Sequence, residues 1–303
     1  MSLPAYAGPL EKTWYYAFRV ICAAILIFLI VPIIIVVPLS FNAEPYFTFT
    51  PGMLSFDLEA YSLRWYEDIL RNGMAAPDAP RGWAWFTDLW NNAQWIRAMR
   101  NSFFIGISAT IIATILGTLA ALGLSRREMP YRALITSILI SPMIVPVIIT
   151  ATGMFFFYAS VGLASTYLGV ILAHAALGIP FVIITVTATL TGFDQSLIRA
   201  ANNLGADQTT TFFKVIMPLI LPGMISGALF AFVTSFDEVV VVLFLADIEQ
   251  RTIPRQMWSG IREQISPTIL AVATILVIIS IGLLTTVELL RRRSERLRGV
   301  TPG

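Results

Sequence analysis

This sequence is short of charge, cysteine, lysine and histidine, and each shortage excludes a class of protein. Only 38 of its 303 residues are charged, 20 basic and 18 acidic, or 13% of the chain. A soluble chain of this size carries about a quarter of its residues as charges, so a water-covered surface is excluded. Cys22 is the sole cysteine and cannot pair within the chain, which rules out a disulfide scaffold. Lys12 and Lys214 are the only lysines, and neither completes the G-x-x-x-x-G-K pattern. The chain therefore has no Walker A loop of its own. A net charge of +2 without a large basic block excludes a nucleic-acid surface. His174 is the only histidine, and its apolar segment holds no Cys, Asp or Glu. It is expected to bond one helix to another rather than to hold a metal. With no H-E-x-x-H and no Ser–His or two-aspartate arrangement at membrane depth, an intramembrane enzyme is disfavoured. No catalytic residue, metal or cofactor is expected.

Apolar residues fill that space: 57% of the chain is hydrophobic and its mean hydropathy is +0.78. A bilayer core needs about 20 apolar residues in a helix. Six segments qualify: Val20–Leu39, Ser102–Leu124, Leu134–Phe157, Tyr167–Leu190, Leu219–Ala246 and Ile269–Val287. All charges except Asp237 and Glu238 lie outside them. The first segment is too long for a signal-peptide core and lacks a small-x-small cleavage site, so it reads as a retained helix. The expected architecture is an all-α integral membrane protein of six transmembrane helices. Lys and Arg placement puts both termini in the cytoplasm, with 12 of 20 on that face. Arg126, Arg127 and the tail arginines 291–293, 296 and 298 carry most of this argument. Prolines 142, 146 and 180 are expected to kink the third and fourth spans.

The chain then divides into a cytoplasmic segment with the first helix (1–40), a periplasmic loop (41–100), a five-helix core (101–293) and a cytoplasmic tail (294–303). The periplasmic loop holds Trp65, Trp83, Trp85, Trp90 and Trp95. These suit an aromatic belt at the membrane interface, with the core of a small external cap as the alternative.

Residues 192–218 form a polar loop patterned like two short helices. Asp194 suits an N-cap, and Gly205 suits a C′ position with positive φ. Between them Leu197, Ile198, Ala201 and Leu204 make one apolar stripe. Asp207 can cap a second turn running through Phe212, Phe213, Val215 and Ile216, and Pro218 ends or kinks it. Such a hairpin could lie on headgroups, pack under its own bundle, or dock a cytoplasmic partner. Its scarcity of basic residues weakens the headgroup version.

The run Arg199-Ala200-Ala201-Asn202-Asn203-Leu204-Gly205-Ala206, followed by Phe213, Val215, Pro218 and Pro222-Gly223, resembles the EAA loop of ABC-importer permeases. The family usually begins this loop with Glu, and Arg199 departs from it. From about Asn101 to Arg293 the chain is similar to permeases of spermidine/putrescine importers, with Ser235–Val240 and Arg251–Trp258 pointing to that branch. The resemblance implies a type I importer permease fold in the bacterial inner membrane. It implies that Leu197, Ile198, Arg199, Ala200, Ala201, Leu204, Gly205, Ala206, Phe213 and Pro218 dock a separate dimeric ABC ATPase, which binds the ATP. It also implies a second permease subunit, in a heterodimer, and a periplasmic substrate-binding protein. Related permeases carry iron, phosphonates and other small solutes, so the cargo class is less constrained than the machine. An ATP-independent transporter would leave the patterned loop unexplained, and no duplicated halves are evident.

Asp237 and Glu238 sit 18 residues into the fifth apolar segment. Charge at that depth usually faces a cavity or a partner. Being adjacent, the two point about 100° apart on a helix, so one could line a pathway while the other bonds a neighbour. The alternative is a structural pair near the outer interface, neutralised by Arg251 or Arg255. Ser235, Phe236, Asp237 and Glu238 are the candidate pathway residues, with Asp237 favoured. Residues 252–266 read as a short outer helix, with Met257, Trp258, Ile261 and Ile265 on one face. It either lies flat at the interface or, as the resemblance implies, contacts the binding protein through Arg255 and Trp258.

Overall fold

A computed structural model describes residues 8–126, 128–191, 194, 196–263 and 266–297. Arg127, Ile265 and Arg298 lie outside the described residues, as do the side chains of Arg291, Arg292, Arg293 and Arg296. Among the described residues the chain is helical, with one isolated bridge between Asn42 and Tyr61. The helices are α1 (Pro9–Leu39), α2 (Pro51–Leu54), α3 (Arg64–Arg71), α4 (Trp83–Asn92), α5 (Gln94–Leu124), α6 (Arg132–Ile144) and α7 (Val147–Ser160). They continue with α8 (Tyr167–Thr191), α9 (Ser196–Asn203), α10 (Gln208–Thr211), α11 (Met217–Asp237), α12 (Val240–Leu245), α13 (Ile253–Glu263) and α14 (Thr268–Leu297).

Two compact units can be distinguished, Met1–Asn72 with Gly260–Gly303, and Gly73–Ser259. In the first, α14 packs against α1 and α3, and Thr268 Oγ1 donates to Asp68 Oδ2 at 2.6 Å. Helix α1 exposes apolar side chains along most of its 31 residues. Its backbone groups are satisfied internally and its surface suits lipid or another helix. Beyond it the chain folds into a small cap. Trp65 is buried there and donates from Nε1 to the carbonyl of Asn42 at 2.7 Å. Asn42, itself buried, donates to the carbonyls of Tyr46 and Thr48.

The second unit is built on α5, α8 and α11, which pack mutually. In lipid, apolar surface alone gives helices little reason to associate, so close backbone approach and dispersion must do it. The contact residues are accordingly small. A Cβ at Gly178 would sit 2.9 Å from that of Ala231, and one at Gly117 only 2.6 Å from that of Val182. Gly223 and Gly227, a G-x-x-x-G pair, face Thr185, Thr189 and Val182 in the same way. Ala113, Ala121, Val182, Val186, Ile220 and Ala231 fill the core between these contacts.

Several boundaries differ from the sequence-based expectation. Among the described residues four helices are long and apolar enough to cross a membrane, or five if one broken pair is counted as a single span. That pair is α6 and α7, bent by 102°. Pro146 excludes Val145 from the helical region and holds it extended at φ −69°, ψ 134°. Pro142 and Pro180, by contrast, lie inside assigned helices. The helix expected to start at Ser102 begins at Gln94, and α14 has a described apolar stretch of Thr268–Gly282. The aromatic-belt reading fits only the exposed Trp83 and Trp90. Trp65, Trp85 and Trp95 are buried, with Trp85 donating to the Pro77 carbonyl at 3.2 Å. An indole N–H needs a partner when buried, and the loop backbone supplies it.

If glycine contact holds α8 to its neighbours, Gly178→Val should destabilise the protein by about 1–3 kcal/mol or more through overpacking. Gly123→Ala, where an added Cβ meets nothing within 4 Å, should be neutral or slightly stabilising. Thermal unfolding of both variants in the same detergent checks this, and equal behaviour would refute it.

Candidate functional site

At the end of the second unit where α5 and α8 finish, the loop forms the expected pair of short helices. Asp194 accepts from the Ser196 backbone N–H at 2.8 Å and from its hydroxyl at 2.6 Å, opening α9. The helix closes in a Schellman turn: Gly205 has φ +84°, its N–H reaches the Asn202 carbonyl, and that of Ala206 reaches Ala201. Asp207 then caps α10, accepting from the Thr210 N–H at 2.9 Å. Thr211 Oγ1 and Asn202 Oδ1 tie the two helices together at 3.4 Å. Hydrogen bonds from Ser196 hold the Asp194 carboxyl below its ordinary range, and those from Thr210 do the same for Asp207. Both caps are thus fully present above about pH 4 and fail only as pH falls through the lowered values. Neutral and mildly acidic pH leave this loop unchanged.

From α10 the chain continues through a π turn, Phe212–Ile216, into α11 as one helix, Gln208–Asp237. The wide turn ends just before Pro218, which has no N–H to return to the Lys214 carbonyl. Ile198, Ala201, Phe212 and Ile216 are half-buried toward the bundle. Leu204 is 88% exposed, Phe213 58% and Leu197 44%, while Arg199 and Ala200 also point outward. Gly205 and Pro218 are exposed and Ala206 is half-buried. An apolar ridge therefore stands clear of the bundle instead of packing under it. Beneath it a cavity of about 460 Å³ runs between Ile198, Asn202 and Phe212 on the loop and Leu122, Arg126 and Leu190 at the ends of α5 and α8.

The acidic pair lies at the opposite end. Helix α11 stops at Asp237 rather than carrying the pair within a continuous span, as expected from sequence. Glu238 is extended at ψ 120°, and its Oε1 accepts from the Val241 N–H at 2.9 Å, capping α12. Asp237 is exposed and Glu238 half-buried. Arg251 and Arg255 bond elsewhere, to Gln256 and to the carbonyls of Ala246 and Asp247. Phe236 packs edge-on to Phe103 and near Phe232. Ser235 is turned inward: its Oγ lies 2.7 Å from Nδ1 of His174, which is 1% exposed. This is the helix-to-helix bond expected of the lone histidine. Among the described residues no group of three or more His, Cys, Asp or Glu could hold a metal.

Helix α13 starts at Ile253, whose N–H donates to Ser102 Oγ at 2.9 Å, and Pro254 occupies its first turn. Arg255 is half-buried and spends its donors on the loop after α12, and burial lowers its pKa from the ordinary guanidinium value. Trp258 is 45% exposed. Sequence reasoning missed Asn101. It is buried and donates to the carbonyls of Glu249 and Arg251 while accepting from Tyr167. Its signal was present: an amide followed by Ser102 at the start of a long apolar run.

Residues 113–298 match the family described as "Binding-protein-dependent transport system inner membrane component". The chain belongs to this family. The permease is 30% identical over 268 residues to the spermidine/putrescine transport system permease protein PotC of Haemophilus influenzae, covering 88% of this chain and 93% of that one. It is 26% identical over 278 residues to the protein of the same description in Escherichia coli, covering 92% and 94%. With the putrescine transport system permease protein PotI of Escherichia coli it shares 27% over 286 residues, 90% of each chain. A chain in the crystal structure of a bacterial ABC transporter involved in the import of the acidic polysaccharide alginate superposes with a TM-score of 0.65 at 15% identity. That likeness covers 95% of this permease and 99% of its counterpart and concerns the fold. The permease is a multi-pass integral membrane protein.

If the His174–Ser235 bond links α8 to α11, a double-mutant cycle of His174→Ala and Ser235→Ala should give coupling near 0.6 kcal/mol and not above about 1.7. Reversible unfolding in mixed micelles measures it; additive effects would remove the bond from the account.

Proposed function

We propose that this permease is the transmembrane subunit of an ATP-driven importer of polyamines in the bacterial inner membrane. It crosses six times, with the broken α6–α7 pair as one crossing and both termini in the cytoplasm. The observation that carries this reading is the ridge of Leu197, Leu204 and Phe213, fixed by two aspartate caps and a Schellman turn yet left uncovered. Exposed apolar side chains on a rigid, sparsely charged loop are suited to a protein groove. The occupant is a cytoplasmic ABC ATPase dimer, which binds and hydrolyses the ATP that this chain has no P-loop to hold. A second permease subunit completes the pathway and a periplasmic binding protein delivers the solute. The subunit itself makes and breaks no covalent bond.

The cargo is assigned from the relatives PotC and PotI, permeases of spermidine/putrescine and putrescine transport systems, together with Asp237. An exposed carboxylate where α11 breaks can replace water around an ammonium group. Cap formation commits Glu238 to the backbone, so Asp237 is the freer acid of the two.

Leu204→Glu should abolish co-purification of the ATPase while the permease still reaches the membrane in normal amount. Retained ATPase at the wild-type ratio would refute the docking role. Asp237→Asn should cut uptake of labelled spermidine roughly tenfold or more, on the scale of losing one charge-assisted contact. Assembly with the ATPase should be unchanged, and undiminished uptake would take Asp237 out of the pathway.

A further inference from the structure

Near the α13 end of the second unit lies a cavity of about 210 Å³ that gathers two guanidinium groups and several side-chain amides. It is lined by Arg97 and Arg251, with Gln94, Asn101 and Gln256 beside them and no acidic side chain on its wall. Arg97 is half-buried, and its guanidinium bonds to no other side chain or carbonyl among the described residues. Arg251 donates one N–H to Gln256 Oε1 at 3.0 Å, but its Nε is buried without a partner. A buried guanidinium donor left unmade is costly, because the group has lost its water and gained nothing.

The neighbouring amides cannot relieve this. Gln256 is already bonded through Oε1 to Arg251 and through Nε2 to Gln94 Oε1. Asn101 points its Nδ2 at the carbonyls of Glu249 and Arg251 and its Oδ1 at Tyr167. Of the acids nearby in the chain, Asp88 is taken up by Asn92 and by the N–H groups of Ala75 and Ala76, Asp247 accepts from the Ile248 N–H, and Asp247 and Glu249 are exposed and do not line the cavity. The wall thus offers surplus donors and positive charge, and the acceptors of Gln94, Asn101 and Gln256 are engaged, which leaves only Oδ1 of the exposed Asn92 open among its side-chain amides.

We propose that this cavity is a carboxylate-binding site, with Arg97 and Arg251 as its ligands. A planar carboxylate matches the guanidinium fork and would satisfy the orphaned Nε. The volume admits one carboxylate and a short stem. A cationic solute is repelled, so the site is separate from the proposed cargo pathway. Two sources share this chemistry: an Asp or Glu side chain of a protein seated on this end of the permease, or a small carboxylate in solution.

The test uses the assembled transporter in nanodiscs, with wild type, Arg97→Gln and Arg251→Lys compared. The lysine variant keeps the charge and loses the fork, and Arg97→Gln removes a side chain that makes no internal bond. In the first arm, acetate replaces chloride at fixed ionic strength. A saturable rise in unfolding temperature in wild type, lost in both variants, supports the site with a free carboxylate. In the second arm, the affinity of the cognate binding protein is measured. Weakening of roughly 30-fold or more in Arg97→Gln, as for truncating one partner of a buried charge pair, supports a side-chain carboxylate. That weakening should be absent when the matching acid on the binding protein is already neutralised. If acetate has the same effect, or none, in all three proteins and binding-protein affinity is also unchanged, the proposal is overturned. The first arm needs neither binding protein nor ATPase and can be repeated on the permease alone, so failure of the importer reading does not decide it.

Discussion

Close contact among α5, α8 and α11 at positions without side chains is the constraint on which this permease depends. In water, burial of apolar surface would hold such helices together. In a bilayer the lipid is as apolar as leucine, and association falls to dispersion and a few polar bonds. Gly117, Gly178, Gly223 and Gly227 let the backbones approach to where a single Cβ would collide. That approach brings His174 to Ser235 across the α8–α11 seam and seals the pair from solvent. It also fixes both ends of the unit, the capped loop at one and the Asn101 network at the other.

The helices are interrupted at chosen places, and two different devices do it. Between α6 and α7 the interruption is covalent: Pro146 removes a donor and constrains its predecessor. Between α11 and α12 no proline is involved. Glu238 leaves the helix and spends its carboxylate on the Val241 N–H in the first turn of the next one. The second device leaves Asp237 at an exposed helix end, with its charge uncommitted. Locating one acid as a cap and its neighbour as a free carboxylate follows from this geometry and from nothing in their shared sequence context.

The loop after α8 shows how much order a short polar segment can hold without a core. Its aspartates satisfy N-terminal N–H groups, Gly205 turns the chain back, and a threonine–asparagine contact joins the halves. Because the polar groups are spent internally, the apolar ones are free to face outward. That inversion is what the proposed docking role rests on, in a chain that belongs to a family of binding-protein-dependent permeases.

Local features were legible in the sequence. The caps at Asp194 and Asp207, the positive φ at Gly205, the short helix after Thr252 and the inter-helical role of His174 all follow from rules that act within a few residues or from the absence of alternatives. Apolar run length likewise marked most of the long helices. Three things awaited the tertiary structure. A proline in an apolar segment can be absorbed or can break it, and its local chemistry is the same at Pro142, Pro146 and Pro180, of which only Pro146 interrupts its helix. A tryptophan in a polar loop can face lipid or fill a core, and a carbonyl within reach decided for Trp65 and Trp85. Finally, Arg97 and Arg251 are 154 positions apart, and their meeting on one wall depends on how α5 and the chain before α13 converge. Patterns of period and capping are written in neighbouring residues, whereas the burial of a charge is set by whatever the fold brings beside it.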